Sequence, residues 1–289
     1  MEYNLTMVSP FNLITIDVED WYHGIGLPVI DWKNYSHRIE IGMNKILRIL
    51  DKRNIKATFF VLGEVAKNSP KIIRNLHQEG HEIASHSLLH KNLEKMNKDM
   101  FIKEEKICKD IIENCISDNI IGFRAPFFSV TRKSSWVLKS LQELGYQYDA
   151  SISPNRTCRH DYVDIAPGIY RISNDLIEIT ASNMQILKFT IGLGGAHFRL
   201  YPYQLSKRVL DKNILRDRPS VFYLHPWELD PNHPKVKIEF PGNLTHYFGL
   251  KTTEQKFERI VSEYNFVTCK DLFAIVRNDK SLKFLDLNE

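Results

Sequence analysis

Gly80-His81-Glu82-Ile83-Ala84-Ser85-His86-Ser87-Leu88-Leu89-His90 opens on a glycine, runs through a short apolar segment and ends on two histidines four residues apart. Glu82 to Ser85 reads as a buried strand, punctuated by the glycine before it and the polar residues after it. The same unit recurs on both sides. Predicted strands over Asn12 to Asp17, Ala57 to Val61 and Ile120 to Arg124 alternate with helical patterns over Ile39 to Lys52, through Leu76, over Met100 to Asn114 and over Arg132 to Leu144. Such alternation argues for βα units on a parallel sheet, hence an α/β fold. Beyond residue 150 the pattern turns irregular. Gly192-Leu193-Gly194-Gly195 and Asp230 to Gly242 read as loops, Leu250 to Tyr264 as a last helix, and Phe266 to Ile275 as a strand region closing the same domain. One domain over residues 1–289 is expected.

Composition narrows the class. At 289 residues with 43% hydrophobic content, the chain can bury the core of one large α/β domain. Its net charge of +4, from 39 basic and 35 acidic residues, comes with no run of five or six like charges, so no nucleic-acid partner is expected. Cys108, Cys115, Cys158 and Cys269 show neither CxxC spacing nor a disulfide-dense pattern, and read as reduced, buried thiols. The segment Met1-Glu2-Tyr3-Asn4-Leu5-Thr6 lacks the basic start and apolar core of an export signal. No apolar run approaches the ~18 residues of a membrane span. A cytoplasmic chain without a transmembrane segment is expected, and the Asn-x-Ser/Thr triplets at Asn4, Asn34, Asn155 and Asn243 read as chance.

The histidine spacing does not carry a metal site by itself, because there are eleven histidines and His77/His81 repeats the interval. What raises His86 and His90 is their company. Upstream, Leu13-Ile14-Thr15-Ile16-Asp17-Val18-Glu19-Asp20 is a strand ending in three carboxylates; downstream stand Gly122-Phe123-Arg124-Ala125-Pro126-Phe127 and Val221-Phe222-Tyr223-Leu224-His225-Pro226-Trp227. Asp17, His86, Arg124 and His225 each fall at or just after the C-terminal end of a predicted strand, and in a parallel barrel those ends share one rim. A carboxylate with two histidines is a ligand set for a catalytic zinc-type site. His86 and His90 would share a face if the segment after Ser85 turned helically.

Taken in order, these segments resemble the polysaccharide deacetylase family (NodB homology, carbohydrate esterase family 4), whose fold is a distorted, incomplete (β/α) barrel. Asp17-Val18-Glu19-Asp20-Trp21, Gly194-Gly195-Ala196-His197-Phe198-Arg199-Leu200-Tyr201-Pro202 and Phe222 to Pro231 look like the subfamily found with bacterial exopolysaccharide and exosortase loci. That subfamily carries a C-terminal extension, here about residues 229–289, and His246-Tyr247-Phe248-Gly249-Leu250 matches it. The resemblance implies a hydrolase that removes N-acetyl groups from N-acetylhexosamine units of an exopolysaccharide, capsule or peptidoglycan, with a glycan or glycolipid as substrate. It implies one divalent metal ion, zinc first, with cobalt, nickel, manganese or iron as alternatives. His86 and His90 would be ligands. The usual pair of adjacent aspartates is interrupted by Val18, so the acidic ligand is Glu19 first and Asp20 as the alternative.

By the same resemblance Asp17 is the general base, Arg124 pairs with it, His225 is the general acid and Asp149 orients and charges that histidine. The metal and a backbone N–H after Pro126, that of Phe127, would stabilise the oxyanion. Phe127, Trp227 and Trp21 are candidate apolar walls for a sugar face or an acetyl methyl. His197 and Arg199 divide between substrate contact and a structural salt bridge, while His23, His77, His81 and His160 read as ordinary polar positions. Two other readings stand beside deacetylation: deformylation of a lipid-linked amino sugar or allantoinase-like hydrolysis of a cyclic amide, and an inactive glycan-binding homologue, motivated by the interposed Val18. A polymer-modifying enzyme without an export signal would work at the periphery of membrane-bound polysaccharide synthesis.

Overall fold

Apolar runs without alternation become strands covered on both faces, because a parallel sheet wrapped by helices leaves neither face to water. The computed structural model describes residues 11–154, 162, 165–186 and 189–286. Asn4, Asn155, Cys158 and His160 lie outside the described residues. The strands are β1 (Asn12–Val18), β2 (Thr58–Val61), β3 (Glu82–Ser85), β4 (Gly122–Phe123), β5 (Tyr148–Asp149), β6 (Ile169–Arg171), β7 (Ile177–Ile179), β8 (Asn183–Ile186), β9 (Phe189–Gly192) and β10 (Ser220–Leu224). Eight of them form one sheet in the order β10-β1-β2-β3-β4-β5-β7-β6, parallel except for β6 against β7. The edge strands β10 and β6 are not paired with each other, so the sheet curls into a half-barrel without closing. The β8–β9 hairpin attaches beside β10, where Tyr223 donates its N–H to the Leu193 carbonyl.

The helices are α1 (Ile39–Asp51), α2 (Gly63–Asn68), α3 (Pro70–Gln78), α4 (Lys98–Ile116), α5 (Trp136–Glu143), α6 (Gly195–Leu200), α7 (Tyr203–Ile214), α8 (Gly242–Tyr247), α9 (Leu250–Glu263) and α10 (Cys269–Val276). Strand parity divides the core in two. Ile14, Ile16 and Val18 face the helices and join Met43, Ile46 and Ile49 of α1, whereas Leu13 faces the barrel interior with Phe60, Ala84, Tyr148 and Val221. Thr15 and Asp17 share that inward parity, and this is what sends Asp17 towards the barrel mouth. Gly42 lets α1 pass close to the β10 exit loop: a Cβ there would sit 1.7 Å from the Pro226 carbonyl oxygen.

Two sequence expectations change here. The region from Phe266 to Ile275 is mostly helix, since only Val267 bridges to Leu13 and α10 begins at Cys269. Its start is a Thr268/Asp271 capping box, a local signal strong enough to outweigh the apolar run that follows. α10 then closes the barrel interior from the end opposite the site: Cys269 N–H donates to Thr58 Oγ1 and Lys270 N–H to Glu82 Oε2, both at 2.8 Å. The predicted helix from Arg132 begins as a separate single turn over Arg132–Ser134, with α5 proper starting at Trp136. Cys108, Cys115 and Cys269 are free and buried.

Candidate active site

At the end of β1 the chain keeps its two-residue alternation for one step past the strand, helped by a tight turn in which Glu19 N–H donates to the Asp17 carbonyl at 3.0 Å. Asp17 and Glu19 therefore point the same way, and Val18, with no exposed surface, packs into the core on the other side. Asp20 falls on the wrong parity for the site. Its carboxylate accepts from the Trp21 N–H at 2.8 Å and from the N–H groups of Arg38 and Ile39 at 2.7 and 3.2 Å, so it caps the start of α1. That corrects the alternative that made Asp20 a ligand: both its oxygens are engaged by backbone donors, and it is not among the residues whose donor atoms gather at His86 and His90.

His86 and His90 reach the site without a helix between them. The loop after β3 instead turns through left-handed conformations at Ser87 (φ 64°) and His90 (φ 48°). It is held by α2, whose first N–H groups have no side-chain cap: Gly63 and Glu64 donate to the carbonyls of Ser87 and Leu88. His86 Nδ1 lies 2.8 Å from the Arg124 carbonyl oxygen, an atom that can only accept, so the ring proton sits on Nδ1 and the Nε2 lone pair is free. A hydrogen bond of this kind fixes a ligating imidazole's tautomer and orientation.

Ligand atoms of Glu19, His86 and His90 lie within 4.8 Å of one another, all three residues buried. His90 Nε2 is 2.8 Å from Glu19 Oε2, yet that oxygen and His90 Nδ1 both lack a hydrogen-bond partner. Burial alone would raise the Glu19 carboxyl, but His90, His225 and His86 outweigh it and hold the group well below its usual range. Burial pushes His86 the other way, down to about 4, which keeps it neutral. One ionised carboxylate with an unpartnered oxygen and two imidazoles, His86 of them held neutral, make a donor set that fits a divalent cation of the zinc type.

Arg124, 1% exposed, anchors the other half of the site. Its Nη1 donates to Asp17 Oδ1 and Thr15 Oγ1, both at 2.8 Å, its Nε donates to the Ala150 carbonyl, and its guanidinium lies over the Phe60 ring. Against the upward push of burial, Arg124 and then His86 and His225 keep Asp17 below its ordinary value. His225, at the end of β10, places Nε2 3.2 Å from Glu19 Oε1 and 3.8 Å from Asp17 Oδ2. Burial would lower this imidazole, but Glu19, Glu228 and Asp17 raise it to about 9.

The partner of His225 Nδ1 is Glu228, at 2.6 Å and with no exposed surface, and not Asp149. Asp149 is instead engaged with Ser151 and Glu178 under the sheet, where burial drives the carboxyls of Asp149 and Glu178 upward as a pair. Ser151 in turn accepts from the Ala125 N–H at 2.7 Å, so Asp149 supports the Arg124 strand end rather than His225. Residues 226–229 form a single 3-10 turn, and in such a turn i and i+3 stand above one another, which brings Glu228 back to His225. Glu228 Oε2 lies 3.4 Å from Arg199 Nε. Arg199 is a buried clamp, donating through Nη1 to the carbonyls of His246 and Phe248 and through Nη2 to that of Thr245.

These groups open into a cleft of about 800 Å³ whose lining also includes Phe127, Phe128, Tyr223, Trp227, Thr245 and His246. Phe127 is 44% exposed, sits at φ 58° and meets the His90 ring edge-on at 4.5 Å. Trp227 is 8% exposed, lying between His225 and a His246 ring stacked on it at 4.4 Å. Trp21 is buried with Tyr22, Trp32, Trp227 and Leu250 and does not line the cleft. His197 stacks on Tyr201 away from it. His23, read as an ordinary polar residue, is buried and accepts from the Asp20 N–H.

Residues 40–148 match the family model described as "Polysaccharide deacetylase", and residues 150–274 match one described as a domain of unknown function (DUF3473). The site spans both: His86, His90 and Arg124 fall in the first, Arg199, His225 and Glu228 in the second. A peptidoglycan-N-acetylglucosamine deacetylase of Bacillus cereus is 46% identical over 67 residues, 22% of this chain and 24% of that protein. A peptidoglycan-N-acetylmuramic acid deacetylase of Bacillus subtilis is 31% identical over 104 residues, 36% of this chain and 38% of that protein. The chain thus spans well under half the length of these curated relatives. Among solved structures, a polysaccharide deacetylase candidate from Mycobacterium smegmatis superposes with a TM-score of 0.65 at 18% identity, over 99% of this chain and 96% of that one. An allantoinase superposes at 0.59 with 14% identity, over 93% and 92%. No helix among the described residues is long and apolar enough to cross a membrane. Residues 40–148, which contribute β2, β3, β4 and both site histidines, are thus the part of this chain that is similar to the polysaccharide deacetylase family.

Proposed function

We propose that this chain is a metal-dependent N-deacetylase acting on N-acetylhexosamine units of a bacterial glycan. The observation that carries the reading is the buried Glu19–His86–His90 cluster, flanked by the Asp17–Arg124 pair and by His225 at the floor of an open cleft. Glu19, His86 and His90 would hold one divalent cation, which when bound polarises the amide carbonyl and acidifies water. Asp17, kept ionised by Arg124, takes the proton of the attacking water as its oxygen bonds to the acetyl carbon. His225, kept protonated by Glu19, Glu228 and Asp17, gives a proton to the nitrogen as the C–N bond breaks, leaving acetate and a free amine. Two titratable groups pushed apart in opposite directions suit a base and an acid working side by side.

The N–H groups of Phe128 and Ser129 are taken by the carbonyls of Ala125 and Pro126, which supports assigning the Phe127 N–H to the developing oxyanion. Exposed Phe127 offers an apolar wall, and Trp227 backs the opposite side of the cleft. The C-terminal extension, through Thr245 and His246, supplies part of that side. The test is acetate release from N-acetylglucosamine oligomers by zinc-reconstituted protein, with chelator and with His86→Ala as controls. Release abolished by both supports the reading. Turnover of a cyclic amide by metal-loaded protein that releases no acetate moves the same residues to an allantoinase-like reaction, and metal-free glycan binding without turnover supports the inactive homologue.

A further inference from the structure

The segment leading into α8, together with α8 itself, has two sides. One belongs to the cleft, through Ile238, Gly242, Thr245 and His246. The other carries Phe240, Leu244 and Phe248, which are 80, 46 and 52% exposed. With Asn243 and Tyr247 these side chains line a hollow of about 440 Å³. A second hollow of about 260 Å³ shares Tyr247 and Phe248 and is bordered by Lys235 and Lys251. Lys235 Nζ stands 6.0 Å from the centroid of the Tyr247 ring. Lys237 is exposed beside them, and Glu239 is the single acid between residues 231 and 252. A gathered apolar patch of this kind on a soluble domain marks an interaction face, and its rim here is cationic.

We propose that this face docks on an anionic lipid surface. Phe240, Leu244 and Phe248 enter the boundary between headgroups and acyl chains, and Lys235, Lys237 and Lys251 meet the headgroup charge. Interfacial binding draws on these two contributions, buried apolar area and electrostatic attraction to anionic lipid. The charge pattern also selects this occupant over a second copy of the chain, because a self-pairing of the face would set lysines against lysines. Docking would bring the adjoining wall of the cleft to the membrane surface. That consequence, access to a substrate carried on a lipid, rests on the deacetylase reading; the docking itself does not.

The test is co-sedimentation of the full chain with phosphatidylcholine vesicles prepared with and without phosphatidylglycerol. Binding is expected only with phosphatidylglycerol, weakening as salt is raised, and lost in Phe240→Glu and Leu244→Glu, whose side chains are solvent-exposed. Reversing both Lys235 and Lys251 to Glu should lower the partition constant by at least roughly 30-fold, the worth of two lysines at such a surface. No binding to either vesicle, or binding indifferent to all four substitutions, overturns the proposal. Self-association of the native chain that Leu244→Glu abolishes, without vesicle binding, assigns the face to a second copy and overturns it as well. Vesicle binding retained by a chain that releases no acetate from any oligomer sinks the deacetylase reading alone.

Discussion

Replacing Glu228 by glutamine keeps the shape of a fully buried side chain and removes its charge. The native carboxylate faces two donors, His225 Nδ1 at 2.6 Å and Arg199 Nε at 3.4 Å. A glutamine has one acceptor and one donor end, so it can serve only one of them. Hydrogen bonds to a charged partner contribute about 1.5–3 kcal/mol. If about 2 kcal/mol of that is the preference for the protonated over the neutral imidazole, kcat/KM should fall about 30-fold on the alkaline side of the native limb. The pH profile supplies the sign. Glu228 is one of the groups that raise His225 to about 9, so without its charge the histidine loses its proton at lower pH and the alkaline limb of activity moves towards acid. The assay is acetate release across the pH range, with thermal melting run on the same samples. Native kcat/KM with an unmoved alkaline limb in Glu228→Gln would refute the reasoning and leave Glu228 a purely structural residue.

Glu19→Gln should abolish stoichiometric zinc binding with little loss of stability, whereas Asp20→Ala should keep the zinc and cost about 1–2 kcal/mol through the lost α1 cap; metal analysis and urea melts of the two variants decide which acid is the ligand. Arg124→Met leaves Asp17 buried without its cation and should cost about 3–5 kcal/mol, a loss measured by urea unfolding and absent if the pair is inessential. Asp17 has a lowered folded pKa, so its stabilisation is present above the unfolded value of 3.8 and is lost as pH falls through the folded one. In Arg124→Met that folded pKa rises, and the acid-unfolding midpoint should move to higher pH. Gly194 sits at φ 137° with an added Cβ placed 2.2 Å from the Tyr223 carbonyl oxygen, so Gly194→Ala should lower Tm by many degrees while Gly168→Ala, whose added Cβ would meet nothing nearer than 3.8 Å, shifts it far less.

Much of the barrel was legible because its strands are short apolar runs and its helices carry clear periodicity; β3 and α1 fall within one residue of their predicted ends. The gathering of Asp17, His86, Arg124 and His225 followed from their common place at strand ends. Two features were hidden for physical reasons and one was only half resolved. The turn from His86 to His90 is set by the unfilled N–H groups of α2, a tertiary partner that local spacing does not announce. The choice between Glu19 and Asp20 was available from strand parity, had the two-residue alternation been carried past Val18. Glu228 stands in His225-Pro226-Trp227-Glu228, but an i, i+3 meeting needs the tight turn that Pro226 opens, and the family resemblance pointed to Asp149 instead.

Arg124 serves the site twice through different atoms. Its guanidinium holds Asp17, while its carbonyl oxygen orients His86. A side-chain scan reports only the first, since every substitution at position 124 keeps the carbonyl in the chain. In the proposed mechanism the base Asp17 and the ligand His86 would thus share a residue yet separate under mutation: side-chain variants at 124 would act on the Asp17 half, and the His86 half would answer to a change in the backbone, such as an ester in place of the peptide link to Ala125.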